Sequence, residues 1–310
     1  MKKRLGGILR LTRYREYLWF VIITTLLGAA VGRGSFGWRL IGVLVANWLA
    51  VGFAFMINDV EDAPDDALDP AKVKRNPVSC GDLSARSGRA VSFVTAIVAA
   101  VLYGLLGLWP LVVGVTCLVI GYLYSWRRIR LKSIPVADLI SHGLMLAGFQ
   151  FLAAYFAFGP GPAWRWMFPL AFIVAISLYG QLFNELRDFE GDVKAGVKHT
   201  ASLLGRRVAH ILMMTLLVIG VGSGAVTILI LGLIPMWVLI IAVVLATILL
   251  VRPLLKLRRH HSMVELQQPL QKPLEIGAAV AFAIWFVGPW ADSLLGIVPM
   301  AQRWMSLIAR

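Results

Sequence analysis

The sequence predicts an all-α, polytopic membrane protein, and three observations carry that reading: its composition, the spacing of its apolar runs and the placement of its basic residues. Of 310 residues, 59% are hydrophobic and only 15% charged, which is more apolar than a soluble globule of this size requires. Apolar runs cover residues 17–31, 38–57, 90–108, 111–126, 136–158, 166–183, 208–231, 236–251 and 276–291. Most approach the ~20 residues that cross a hydrocarbon core, and the shorter ones are flanked by Trp, Tyr or Arg suited to the interface. The expected architecture is about nine transmembrane helices around a central cavity with a cytoplasmic cap, as one membrane domain over residues 1–310.

Residues 1–15 are basic and lead into the first run without a small-residue cleavage site, so that run reads as an anchoring helix and not as a removable leader. The second run ends in Asn58-Asp59-Val60-Glu61-Asp62-Ala63-Pro64-Asp65-Asp66. The connection after it, 63–89, is long and carries Pro64, Pro70 and Pro77, which predicts a folded cap in preference to a single helix. The sixth run ends in a similar cluster, Asn184-Glu185-Leu186-Arg187-Asp188-Phe189-Glu190-Gly191-Asp192, so motif loops are expected near 58–89 and 184–207. Asn47, His142, Gln150 and Gln181 are polar groups inside the runs; costly in hydrocarbon, they are expected to face the bundle interior.

Grouping the thirty Lys and Arg residues by alternate loops puts twenty-five on the side of the amino terminus and five on the other. By the positive-inside tendency the first side is cytoplasmic, and both acidic clusters lie on it. The formal charge of +14 would point to nucleic acid in a soluble chain; here it is loop charge that sets topology and meets anionic headgroups, and no nucleic-acid partner is expected. Cys80 falls in a loop and Cys117 in an apolar run, with no C-x-x-C spacing, so neither a disulfide nor a zinc site is expected.

Eleven of the sixteen acidic residues lie between Asn58 and Asp82 or between Asn184 and Asp192, a concentration that scattered surface charge does not explain. If the second helix continues past Ile57, Asn58, Asp62 and Asp66 stand at i, i+4 and i+8 on one face, and Asn184, Asp188 and Asp192 repeat the spacing. Two such faces offer hard oxygen ligands of the kind Mg²⁺ favours when it bridges carboxylates and phosphate oxygens. Asp59 adjoins the first stripe, within reach of a metal. Glu61, Asp65, Asp69, Glu185 and Glu190 lie off the stripes and read as solvated or supporting groups.

Asn58-Asp59-x-x-Asp62-x-x-x-Asp66 resembles the N-D-x-x-D-x-x-x-D signature of the UbiA-type intramembrane prenyltransferases. Asp188-Phe189-Glu190-Gly191-Asp192-Val193-Lys194-Ala195-Gly196-Val197-Lys198 resembles that family's second motif and its tail. Thr12-Arg13 is similar to the family's arginine entering the first helix, and Tyr124-Ser125 with Arg128 and Lys132 looks like its Tyr-x-x-x-Lys element, with Arg at the usual lysine position. Where many members read Arg-Pro after the first motif, this chain reads Arg75-Asn76-Pro77-Val78, one residue longer.

The resemblance implies Mg²⁺-dependent transfer of a prenyl group from an isoprenyl diphosphate to a lipophilic or aromatic acceptor in the bilayer of a prokaryotic cell. Asn58, Asp59, Asp62, Asp66, Asn184, Asp188 and Asp192 would hold metal, Asp62 and Asp188 being the central members. Arg13, Lys72, Arg75, Arg128, Lys132, Lys194 and Lys198 would neutralise the diphosphate and ease its departure. The allylic cation then needs a dry pocket with π-faces, which Tyr124, Tyr179, Phe149, Phe183 or Trp48 could supply. Asp138 is expected to orient Lys132 or contact the acceptor, and His199 to serve as a base or stay solvated. Two rivals remain open: a terpene cyclase acting on the diphosphate alone, and a transporter, which would more naturally place its charge mid-span.

Overall fold

The structure, a computed structural model, describes residues 2–159, 164–194, 196–257 and 263–294, among which there is no strand. Eight helices are long and apolar enough to cross a membrane, and the apolar stretch Met236–Val251 adds a shorter ninth. A short α1 (Lys2–Leu11) breaks at Arg13, whose left-handed backbone (φ 48°) turns the chain into α2 (Tyr14–Val31). α3 (Trp38–Asp66) returns, α4 (Pro70–Arg75) is a short surface helix, and α5 (Ala85–Leu106) and α6 (Leu108–Ser125) form an antiparallel pair around Gly107. The fifth span is α7 (Ala137–Gly143), a π-helical turn at Leu144–Gly148 and α8 (Phe149–Phe158). α9 (Trp164–Lys194), α10 (Thr200–Ala225), α11 (Met236–Leu257) and α12 (Met263–Leu294) complete the bundle.

The helices run further than the apolar runs. α3 and α9 pass straight through both acidic clusters, so residues 58–66 and 184–194 are helical where motif loops were expected, and α10 starts at Thr200 with one short turn before a kink at Gly205 (φ 75°). Pro64 sits in the last turns of α3, where it removes one internal hydrogen bond without ending the helix. Pro70 opens α4, where a missing N–H costs nothing, and Asp69 accepts from the Lys72 amide. The connection 67–84 is therefore a short helix and turns folded against the end of α3.

Burial sorts the spans. The fifth span is the most enclosed, with 67% of its most apolar 18 residues buried, against 22% for the α10 span, so α7 and α8 form the centre and α10 lies at the rim. α8 contributes to two apolar clusters, one with Leu27, Ile173 and Ala281 and one with Phe53, Tyr103 and Cys117. On α2, a Cβ at Gly28 would stand 2.2 Å from the Phe151 carbonyl oxygen, so α2 and α8 cross at a distance only glycine permits. Asn47 and Gln150 are fully buried, as their polarity predicts. Asn47 donates to Thr25 Oγ1 (2.8 Å) and the Gln150 carbonyl (2.9 Å) and accepts from the Tyr103 hydroxyl (2.7 Å), clamping α2, α3, α5 and α8. Cys80 is exposed and Cys117 buried, both as free thiols.

Candidate active site

The i, i+4, i+8 stripe on α3 divides between two neighbours, because forty degrees of drift per step separate Asn58 from Asp66 by roughly a quarter turn. Asn58 accepts from Ser125 Oγ (3.1 Å) and Lys132 Nζ (2.8 Å). Asp62 pairs with Lys132 and with Arg130 (3.1 Å). Asp65, one turn on, takes Arg127 (2.6 Å) and Arg130 (3.1 Å). Asp66 turns to the other side, accepting from Asn76 Nδ2 at 2.9 Å, and the same amide donates to the Asp59 carbonyl at 2.7 Å. The residue that lengthens the Arg75-Asn76-Pro77 segment thus staples the connection to α3.

Asp59 is fully buried beside Asp66; Arg13 reaches its Oδ1 at 3.2 Å while Oδ2 has no hydrogen-bond partner. Arg13 is held by Glu16 (Nε to Oε1, 2.8 Å) and lies 4.9 Å over the Phe55 ring. Burial draws the Lys132 ammonium below its ordinary value, and the Asp62 carboxylate opposes that pull. Glu61, expected to be solvated or a supporting group, is buried and paired with Arg89 at 3.0 Å.

On α9, Asp188 pairs with Arg187 (2.6 Å), which also donates to Asn184 Oδ1 (3.3 Å). A cavity of about 440 Å³ opens here, lined by Leu186, Arg187, Asp188, Glu190, Gly191, Asp192 and Arg206. Asp192 accepts from His199 Nε2 at 3.2 Å. Of the two readings left open for Glu185, solvated or supporting, the structure has the second: it is buried, its Oε2 accepting from the Ala201 amide (2.9 Å) and its Oε1 from Gln181 (3.0 Å). Asp138, expected at Lys132 or an acceptor, instead accepts from the Thr200 amide (2.7 Å) and hydroxyl.

The connection 126–136 between α6 and α7 therefore reaches both motifs. Its Arg127, Arg130 and Lys132 end on the α3 carboxylates, and at its far end the Val136 amide donates to Thr200 Oγ1 (2.7 Å), beside the residue that holds Asp192. Tyr124, at the head of this connection, stands within electrostatic reach of Asp138, Glu185 and Asp62. Its ring lies 6.4 Å from that of His142.

Other expected residues lie further out. Arg128 is exposed and stacks on Trp126 at 5.7 Å. Lys72 and Arg75 are exposed on α4, Lys198 is exposed before α10, and the side chain of Lys194 lies outside the described residues. Tyr179 and Phe183 pack together at 6.4 Å, and Trp48 is 38% exposed against Tyr14.

Among the described residues no three acidic, His or Cys side chains converge on one point as a ready metal site. The donors nevertheless suit Mg²⁺: all are hard oxygens, Asp59 keeps a buried oxygen unpartnered, and the neighbouring cations would draw in an anion whose oxygens complete the shell.

A sequence model of the UbiA prenyltransferase family matches residues 21–265. The chain belongs to that family. It is 28% identical over 184 residues to a digeranylgeranylglyceryl phosphate synthase of Methanopyrus kandleri, covering 59% of this chain and 66% of that one. It is 30% identical over 212 residues to a lycopene elongase/hydratase of Haloarcula japonica, covering 65% and 68%. Its fold is similar to that of a UbiA homologue from Archaeoglobus fulgidus solved with GPP and Mg²⁺, with TM-score 0.66 and 20% identity over 90% of this chain and 99% of that one. As a UbiA-family prenyltransferase, this chain is an enzyme of the bilayer whose motif residues are carried by helix ends and by the α6–α7 connection.

Proposed function

We propose that this UbiA-family protein transfers a prenyl group from an isoprenyl diphosphate to a lipophilic acceptor, with Mg²⁺, at the face where α3 and α9 end, and that this face is cytoplasmic. The observation that supports the reading is the α6–α7 connection, whose Lys132 and Arg130 neutralise Asp62 while its far end is bonded to the turn that holds Asp192. A site of this kind is balanced for an anionic ligand and a cation arriving together.

Asn58, Asp59, Asp62, Asn184, Asp188 and Asp192 would hold Mg²⁺, which would supply charge neutralisation to a departing diphosphate. Lys132, Arg130 and Arg13 bind the diphosphate oxygens, giving up part of their present carboxylate pairing. The allylic C–O bond breaks with its electron pair leaving on the diphosphate. The acceptor bonds to the allylic carbon and loses a proton. Tyr124, at the inner end of the carboxylate face, presents its ring to the developing cation. One domain spanning the membrane helices performs all of this. Relatives named for a glyceryl phosphate and for lycopene support a lipid acceptor drawn from the bilayer.

The test is turnover of purified protein with a panel of prenyl diphosphates and a total lipid extract, read by mass spectrometry. A lipid heavier by one prenyl unit, formed only with Mg²⁺, is the expected result. Diphosphate release without any acceptor would point to a cyclase, and no release from any donor would contradict the reading.

A further inference from the structure

His199 occupies a position that neither motif explains. It is 5% exposed and caps α10, its Nδ1 accepting from the Ser202 amide at 3.1 Å while the Ser202 hydroxyl accepts from the His199 amide at 2.9 Å. The next two amides are also taken by side chains, Thr200 by Asp138 Oδ2 (2.7 Å) and Ala201 by Glu185 Oε2 (2.9 Å). Successive amide groups from the cap through the first turn of α10 are thus satisfied by acceptors drawn from α7, α9 and α10 itself, a lock on a helix start that is otherwise left to water. Glu185 Oε2 also lies 3.2 Å from Nδ1.

With Nδ1 accepting from Ser202, the ring's proton is on Nε2 and is directed at Asp192 Oδ2, 3.2 Å away. Asp192 is 33% exposed at the edge of the cavity on the second motif. A carboxylate near the end of a long helix at the rim of the bundle has free rotation about two bonds, and one buried donor removes most of it. Ser or Asn would cap α10 as well as His does, but neither side chain is long enough to cap and to reach Asp192 as well.

We infer that His199 is a positioning residue for the second acidic motif: its ring holds Asp192 in the orientation that receives a metal–diphosphate pair, and at the same time fixes the start of α10. The inference rests on the proposed prenyl-transfer site and adds to it a residue outside both motifs. Removing an outer partner of this kind weakens metal binding by roughly ten- to hundredfold in other sites.

The experiment compares the parent protein with His199→Asn, His199→Ser, His199→Ala and Asp192→Asn in detergent micelles. Binding of geranyl thio-diphosphate, which is not cleaved, is titrated against Mg²⁺, and thermal unfolding is followed in parallel. The Asn and Ser variants are expected to unfold close to the parent, yet to need roughly ten- to hundredfold more Mg²⁺ for half-maximal analogue binding. His199→Ala should show the same Mg²⁺ defect together with a lower unfolding temperature. Adding His199→Asn to Asp192→Asn should change the Mg²⁺ requirement by less than about twofold, because the ring acts through that carboxylate. An unchanged Mg²⁺ requirement in folded His199→Asn or His199→Ser overturns the inference, as does failure of both variants to fold, which would give the ring a folding role alone. If the parent itself binds the analogue equally with and without Mg²⁺, the proposed function fails, a different outcome from either.

Discussion

Lys132 and Arg128 lie four residues apart in one connection and meet different surroundings. Lys132 reaches Asn58 and Asp62, whereas Arg128 is exposed and stacks on Trp126. A charged hydrogen bond is worth about 1.5–3 kcal/mol, or roughly ten- to hundredfold in binding. Lys132→Met should therefore raise KM for the prenyl diphosphate at least about tenfold, and Arg128→Ala should stay within about threefold; steady-state kinetics with one donor checks both. The sequence spacing favours Arg128 as the equivalent of the family's lysine, but Arg130 is the residue that bridges Asp62 and Asp65. Nothing in the local sequence distinguishes them, because the choice is made by the left-handed turn at Arg130 (φ 51°) and by where α7 then starts. Asp138 and Glu185 were hidden for a similar reason. Their partners, Thr200 and Ala201, lie 62 and 16 residues away, so only packing of α7 and α9 against α10 reveals them. The cap itself left one trace, a side-chain acceptor at His199 three residues before Ser202, ahead of an apolar run.

At the scale of helices, two contacts can be broken without touching the carboxylate face. Asp138→Ala leaves the Thr200 amide and hydroxyl without their acceptor, at about 1–3 kcal/mol for each buried group left unsatisfied. A lower unfolding temperature in detergent is the expected result, and Thr200→Val should lower it as well, because the lost hydroxyl both donates to Asp138 and accepts from the Val136 amide. Where α2 crosses α8, Gly28→Ala would force a Cβ to within 2.2 Å of the Phe151 carbonyl oxygen, a backbone atom that cannot give way alone. It should cost about 1–3 kcal/mol, while Gly222→Ala, with open space around it, should be close to neutral. The same unfolding measurement reads both. The apolar runs located these helices well, since hydrocarbon thickness fixes their minimum length. Their ends were missed where charge follows the apolar segment, because α3 and α9 continue as helices out of the membrane and carry their motifs with them.

For the whole molecule, successive spans alternate in direction, so the ends of α3, α6 and α9 and the starts of α5, α7 and α10 share one side with the amino terminus. The proposed orientation, argued from the excess of basic residues, puts that side in the cytoplasm. The chain carries its own reporters: Cys80 is exposed on this side and Cys117 is buried among α3, α5, α6 and α8. A membrane-impermeant maleimide should leave both unlabelled in intact cells, label Cys80 in inverted vesicles, and reach Cys117 only after unfolding. Labelling of Cys80 in intact cells would reverse the orientation.

The proposed function makes one demand, that the carboxylates of α3 and of α9 serve a single metal–diphosphate pair. Binding of geranyl thio-diphosphate to the purified protein, with Mg²⁺ and with chelator, measures it in the parent, in Asp62→Asn and in Asp188→Asn. The parent should bind far more tightly with Mg²⁺, and each variant alone should lose most of that gain, since either motif by itself leaves the metal short of ligands. Equal binding in chelator, or a variant of one motif that binds as the parent does, would show that the two acidic faces do not act together.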